Sequence, residues 1–140
     1  MIDKKLINRK LENIIKYLKE LEPITKCSFN EFLSNYYKLH TAERLLQLIV
    51  DTAYDINAHL IGEAGKPLPD DYYTSFTKLS EIKVLPRKFS LWIAGSAGLR
   101  NRLVHEYEEI NFERVFKSLP FQLKNYKQYV VLIDKYISAK

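Results

Sequence analysis

From Leu39 to Leu60 the chain reads LHTAERLLQLIVDTAYDINAHL, and the spacing of its apolar residues sets the fold class. Leu39, Ala42, Leu46, Ile49, Ala53, Ile56 and Leu60 recur at steps of three and four, which lines up side chains along one face of an α-helix. Gly62 and Gly65 close the run. The other side carries Glu43, Arg44, Gln47, Asp51, Asp55 and His59, by default a solvated helix face. Just upstream, Ser28 followed by Glu31 predicts a capping box, and the long helix would divide near Ser34 to Tyr37.

The same rhythm extends in both directions. Ile7, Leu11, Ile14, Leu18 and Leu21 form an N-terminal stripe, with Asp3 placed as its N-cap and Pro23 as its end. Lys66-Pro67-Leu68-Pro69-Asp70-Asp71 is a loop whose two aspartates are candidate caps for a shorter helix over Tyr72 to Val84, built on Tyr73, Phe76, Leu79 and Ile82. Pro86 suits the first position of the next helix, which packs Phe89, Trp92, Leu99 and Leu103. Gly95 and Gly98 each cost that helix about 1 kcal/mol relative to alanine, so a close neighbour is expected against them: a core helix or a second copy of the chain. Asn111 caps a final run carrying Val115, Leu119, Leu123, Tyr126, Val130, Ile133 and Ile137, which Pro120 should kink or divide. The expectation is an all-α chain, one domain over residues 1–140, built as an up-and-down bundle of four to six helices.

Composition agrees. A chain of 140 residues with four glycines and five prolines favours helix and is long enough to bury a core without covalent staples. The 22 Lys and Arg against 17 Asp and Glu leave a net charge of +5, compatible with a polyanionic partner but not diagnostic of one. Residues 111–140 hold six of the cations and only two acids, which suits the flank of an RNA groove or a plain solvated face. Cys27 is the sole cysteine, so neither an internal disulfide nor a zinc framework is available. No signal-peptide pattern and no apolar run of membrane-spanning length is present, so a soluble, cytoplasmic protein is expected.

One stretch exceeds what packing requires: Arg100-Asn101-Arg102-Leu103-Val104-His105-Glu106-Tyr107 sets two guanidiniums, an amide, an imidazole and a phenol within eight residues. RNA can be cut by its own 2′-hydroxyl if something moves protons and something steadies the phosphorane. Histidine exchanges a proton near neutrality, and arginine stays charged and presents a planar fork to phosphate oxygens. Arg100 and His105 are the candidate catalytic residues, and Asn101, one turn before His105, is a supporting or RNA-binding candidate. At about 100° per residue, Arg100 and His105 point some 140° apart, so one straight helix does not aim both at one atom. A bent arginine stem, a helix ending near His105, or a site completed at a two-fold interface would resolve this; the interface is favoured. Arg102 is assigned to an ordinary ion pair with Glu106.

The segment Gly98-Leu99-Arg100-Asn101-Arg102-Leu103-Val104-His105-Glu106-Tyr107, with its Arg-x4-His-x-Tyr core, resembles the motif of HEPN-domain proteins, specifically HepT-like toxins. The likeness extends to Glu43 through Asp51 on the long helix and to the helical layout of almost the whole chain. It implies a HEPN-like bundle, usually dimeric, and metal-independent RNA cleavage acting on tRNA or mRNA. It also implies a nucleotidyltransferase antitoxin that adenylylates Tyr107, with Asp51 and Arg44 as supports near the site. Without the family, Tyr107 reads as a capping or packing residue.

Other motifs are absent. His40 and His59 stand singly and read as surface or satisfied core histidines; no His-x3-His, Glu-x-x-His or paired cysteines occur, and no metal or cofactor is expected. Tyr17, Tyr73, Tyr126 and Tyr129 fall on or beside apolar stripes and read as core. Neither DNA nor a membrane is expected as a partner. Two functions compete: an endoribonuclease toxin, and a non-catalytic helical module that docks a nucleotidyltransferase and serves as its substrate.

Overall fold

The computed structural model describes residues 1–105 and 110–140. Among them the chain forms α1 (Lys4–Thr25), α2 (Phe29–Ser34), α3 (Tyr36–Glu63), α4 (Tyr72–Glu81), α5 (Arg87–His105) and α6 (Phe112–Ser138), and no strand. The apolar stripes read from the sequence are the buried faces. Ile7, Ile14 and Leu21 of α1, Leu46, Ile49 and Ile56 of α3, and Tyr126, Tyr129 and Ile133 of α6 all belong to one core cluster.

Cross-helix bonds fix the directions. Lys10 Nζ meets Asp55 Oδ2 at 3.2 Å and the Asp3 amide donates to His59 Nε2 at 3.1 Å, so α1 and α3 run antiparallel. The Tyr129 hydroxyl donates to Asn57 Oδ1 at 2.6 Å, and Asn57 Nδ2 donates to Ser75 Oγ at 3.1 Å, tying α6, α3 and α4 through a buried polar chain. These groups are fully buried, where an unpaired polar atom costs about 1–3 kcal/mol, so the chain of bonds also fixes which rotations of the helices are tolerated. Burial pushes both the Tyr126 and the Tyr129 phenols above their ordinary range. Ser96 Oγ and Tyr126 Oη lie 2.6 Å apart, joining α5 to the middle of α6, while Leu103 faces the start of α6 near Asn111 and Val115. Phe29 and Phe32 pack on Phe116 with ring centroids 5.7 and 5.0 Å apart. The end of α5, the start of α6, α2 and the start of α3 therefore share one end of the bundle.

Caps explain most boundaries. Asp3, Asn35, Asp71 and Asn111 each accept a hydrogen bond from a backbone amide three residues on. Asn35 also supplies the expected division, separating α2 from α3. Several expectations need correction. Ser28 accepts from the Glu31 amide, but the Glu31 carboxylate pairs with Lys38 at 3.0 Å instead of returning to the cap. Pro23 does not end α1, which runs on to Thr25. Pro120 does not divide α6, which continues through it. The Pro86 carbonyl accepts from the Ser90 amide at 2.9 Å, which makes Pro86 the residue just before α5 and not its first. Trp92 and Tyr73, assigned to packing, are 60% and 47% exposed. Among the described residues no core helix covers the glycines: a Cβ built on Gly95 meets nothing within 4 Å, and one on Gly98 meets only Arg102 of its own helix.

Candidate functional site

The site is built where α3, α4 and α5 meet. Arg100, in the last third of α5, sends its guanidinium inward, with the side chain 15% exposed, and donates from Nε to Asp51 Oδ1 of α3 at 2.9 Å. Its Cζ lies 4.5 Å from the centroid of the Tyr72 ring, a cation over an aromatic face. Tyr72 is in turn stacked on Tyr54 of α3, centroids 4.3 Å apart and planes 18° from parallel. Tyr72 is the first residue of α4, and the reciprocal capping box of Asp71 and Thr74 holds that end in place. Local capping chemistry thus positions the ring on which the guanidinium rests.

A second bond runs from Arg100 Nη1 to Asn101 Oδ1 at 3.3 Å. A guanidinium has five N–H donors, and these two contacts leave three without a partner among the described residues. Burial, followed by the Asp51 carboxylate, pushes the Tyr72 phenol above its ordinary range, and Arg100 opposes that shift. Tyr72 therefore stays a neutral ring beside a fixed ion pair. The arrangement is a clamp: the arginine is oriented by a carboxylate and an aromatic face, with its remaining N–H groups not engaged among the described residues.

His105 is the last described residue of α5 and is exposed. Among the described residues its imidazole makes no side-chain hydrogen bond, and Arg100 and His105 are not joined. Arg100 and Asn101 are brought together; His105 lies beyond them, on the outer side of the helix. Gly98, Arg102 and His105 succeed one another at steps of four and three, so His105 shares the open glycine face and not the Arg100 face. Tyr107, the expected modification site, and Glu106, the expected partner of Arg102, lie outside the described residues.

Asp51 supports Arg100 directly, as the resemblance implied. Tyr72 and Tyr54 were not legible as site residues, because nothing in sequence spacing joins a post-loop tyrosine to an arginine on another helix. His59 accepts from the Asp3 amide and His40 lies 3.6 Å from Glu43, consistent with satisfied or surface histidines. Among the described residues no three His, Cys, Asp or Glu side chains cluster as a metal site requires, and no helix is long and apolar enough to cross a membrane.

Comparisons with known proteins place the chain in a family. A family model described as Ribonuclease HepT-like matches residues 14–133. The chain belongs to the HepT-like ribonuclease family. It is 36% identical over 136 residues to the tRNA nuclease HepT of Aphanizomenon flos-aquae, covering 97% of this chain and 92% of that one. It is 27% identical over 88 residues to the mRNA nuclease HepT of Shewanella oneidensis, covering 63% and 66% of the two chains. In fold, it superposes with a TM-score of 0.85 and 23% identity on a tri-AMPylated Shewanella oneidensis HEPN toxin in complex with an MNT antitoxin, over 96% of this chain and 99% of that one. The HepT-like bundle is thus the fold of this chain.

Glu43 of α3 is less well served. Among the described residues its buried Oε1 accepts no hydrogen bond and meets only His40 Nδ1, at 3.6 Å, and burial raises the Glu43 pKa against the opposing effect of His40. A carboxyl whose folded pKa exceeds its unfolded value holds more protons when folded, so its contribution to stability declines as pH rises from the unfolded towards the folded pKa. Glu43→Gln should therefore be more stable than the wild type at pH 7, with the advantage shrinking as the pH is lowered through the ordinary glutamate range. Urea denaturation at pH 7 and pH 4 checks this; a variant less stable at neutral pH would show that Glu43 has a favourable partner.

Proposed function

We propose that this protein is a metal-independent endoribonuclease toxin of a toxin–antitoxin pair, cutting tRNA or mRNA by 2′-hydroxyl transesterification. The observation that carries the reading is the clamped guanidinium of Arg100 in a chain of this family. The substrate's 2′-oxygen attacks the adjacent phosphorus, the bond from phosphorus to the 5′-oxygen breaks, and a 2′,3′-cyclic phosphate and a 5′-hydroxyl result. One proton leaves the 2′-hydroxyl and one reaches the departing 5′-oxygen. His105 moves the proton, Arg100 neutralises charge on the phosphorane, and Asn101, bonded to Arg100, helps to hold the phosphate.

The two-fold arrangement follows from the exposed face of α5. Among the described residues Gly95 is open and Gly98 is lined only by Arg102, and His105 lies about two turns beyond Gly98 on the same side. A second copy packed on this face brings two His105 imidazoles together, one able to accept a proton while the other donates. The relatives named as HepT are nucleases, and the superposed Shewanella toxin is AMPylated and bound to its antitoxin. By analogy, a nucleotidyltransferase would adenylylate Tyr107, adding bulk and negative charge two residues after His105 in sequence and opposing entry of an RNA phosphate.

Purified, unmodified protein should cleave RNA in EDTA and leave a 2′,3′-cyclic phosphate, and a deoxyribose before the scissile bond should block the cut. Arg100→Ala and His105→Ala should each lower the single-turnover rate by about 10²-fold or more while circular dichroism stays that of the wild type. Strict dependence on a divalent ion, or cutting of the deoxy-substituted strand, contradicts the mechanism. If no RNA is cut, the docking-module reading gains.

The interface is tested at Gly95. Because a side chain there meets open space within one copy, Gly95→Leu should fold with the helical circular dichroism of the wild type. Light scattering should nevertheless show a monomer, with RNA cleavage lost. A Gly95→Leu protein that remains a fully active dimer would place the two-fold contact elsewhere.

A further inference from the structure

The start of α3 carries side chains that the catalytic reading does not use. Tyr36 and Tyr37 are 69% and 80% exposed, although rings of this size bury a large apolar area wherever a core can take them. They are not disordered ornaments of a loop. Asn35 caps α3 through its bond to the Lys38 amide, so both rings stand on the first turn of a regular helix. Tyr36 packs edge-on against Tyr37 at 5.9 Å and lies 4.2 Å from the His40 ring, which leaves a pre-ordered aromatic cluster with open faces.

The cluster is continuous with the site. At about 100° per residue, Tyr36, Tyr37, His40, Arg44, Gln47 and Asp51 fall within roughly 60° of a single line along α3. Asp51 is the residue that holds Arg100. From Tyr36 to Asp51 the helix rises about 22 Å, the length of about six stacked nucleotides at roughly 3.4 Å each. The line runs towards the end of the bundle that α5 reaches at His105. Arg44, midway, is exposed and has no carboxylate within ion-pair distance among the described residues. Open aromatic faces, a guanidinium without an ion-pair partner among the described residues, and a line that leads to Asp51 and Arg100 are the components of a single-strand binding surface.

We propose that this face of α3, from Tyr36 to Gln47, is a track for single-stranded RNA flanking the cut, with Tyr36 and Tyr37 stacking bases and Arg44 holding a phosphate. The proposal rests on the ribonuclease reading and adds where the strand lies. A protein partner fits the face less well. Its exposed apolar groups are two tyrosines, followed along the helix by His40, Arg44 and Gln47, and the open glycine face suited to a second copy is on α5. Stacking on a π-face tolerates any base, so the track would contribute affinity and register and leave base choice to the pocket around the cut.

The test uses the full-length, unmodified protein and a short fluorescein-labelled, mixed-sequence single-stranded RNA with 2′-O-methyl riboses throughout, which supplies no nucleophile. Fluorescence anisotropy should show binding weakened about tenfold or more for the Tyr36→Ala, Tyr37→Ala double variant, and restored by the corresponding pair of phenylalanines. Arg44→Gln should lower the slope of log affinity against log salt by about 0.7, the value of one single-strand phosphate. The alanine pair should also raise KM for cleavage of unmodified RNA. A wild type that cleaves RNA, together with variants of unchanged affinity and salt slope, would overturn the track and leave the ribonuclease reading intact. Unchanged RNA binding with a lost dimer, or with lost adenylylation by the nucleotidyltransferase, would make the face a protein interface. A wild type that neither binds nor cuts RNA would overturn both readings.

Discussion

The ion pair between Arg100 and Asp51, laid across the Tyr72 ring, is the contact on which the site depends. It joins three consecutive helices through residues up to 49 positions apart in sequence, and each helix brings a different constraint. The long stripe of α3 buries Ile49, Val50 and Ala53 and thereby turns Asp51 outward; the capping box at Asp71 and Thr74 sets Tyr72; α5 carries the long arginine side chain that reaches both. A flexible arginine at the surface would lose side-chain freedom on meeting a phosphate. One already held by a carboxylate and a ring has lost much of it, which is the sense in which the site is preorganised for charge.

The same contact separates the two halves of the proposed chemistry. Arg100 faces inward to α3 and α4, whereas His105 belongs to the open face of α5 with the glycines. Arg100 and His105 therefore stay on different faces of α5, the angular conflict evident in the spacing of the motif. That separation is why the proposed mechanism gives a second copy a place, and why the proposed strand is assigned to the face of α3. In that proposal, charge-stabilising groups, proton-transfer groups and strand contacts meet at one end of the bundle from three different surfaces.

Much of this was legible in the sequence because helix periodicity and caps are local. The stripes of α1, α3 and α6, the caps Asp3 and Asn111, and the break before Tyr36 all depend on residues within a few positions of one another. Where the reading failed, a tertiary effect won. Pro120 stays within α6 because the helix is packed on both sides of it by Leu119 and Leu123, and Pro23 stays within α1 because Leu21 and Ile24 are buried around it. Trp92 lies outside the core because the face beside Gly95 is uncovered within one copy. At the site, Arg100, Asn101 and His105 stood out by chemical density, and Asp51 by resemblance. Tyr72 and Tyr54 had no one-dimensional signal, since their role exists only once α3, α4 and α5 cross.

The central claim is that Asp51 acts through Arg100, holding the guanidinium for the scissile phosphate. A double-mutant cycle on single-turnover RNA cleavage tests it most directly, using Asp51→Asn, Arg100→Ala and the double variant at wild-type helicity. Asp51→Asn should slow cleavage markedly in the wild-type background and have almost no effect once Arg100 is removed. Equal slowing by Asp51→Asn in both backgrounds would contradict the account, because the carboxylate would then act on the reaction by a route that does not pass through the arginine.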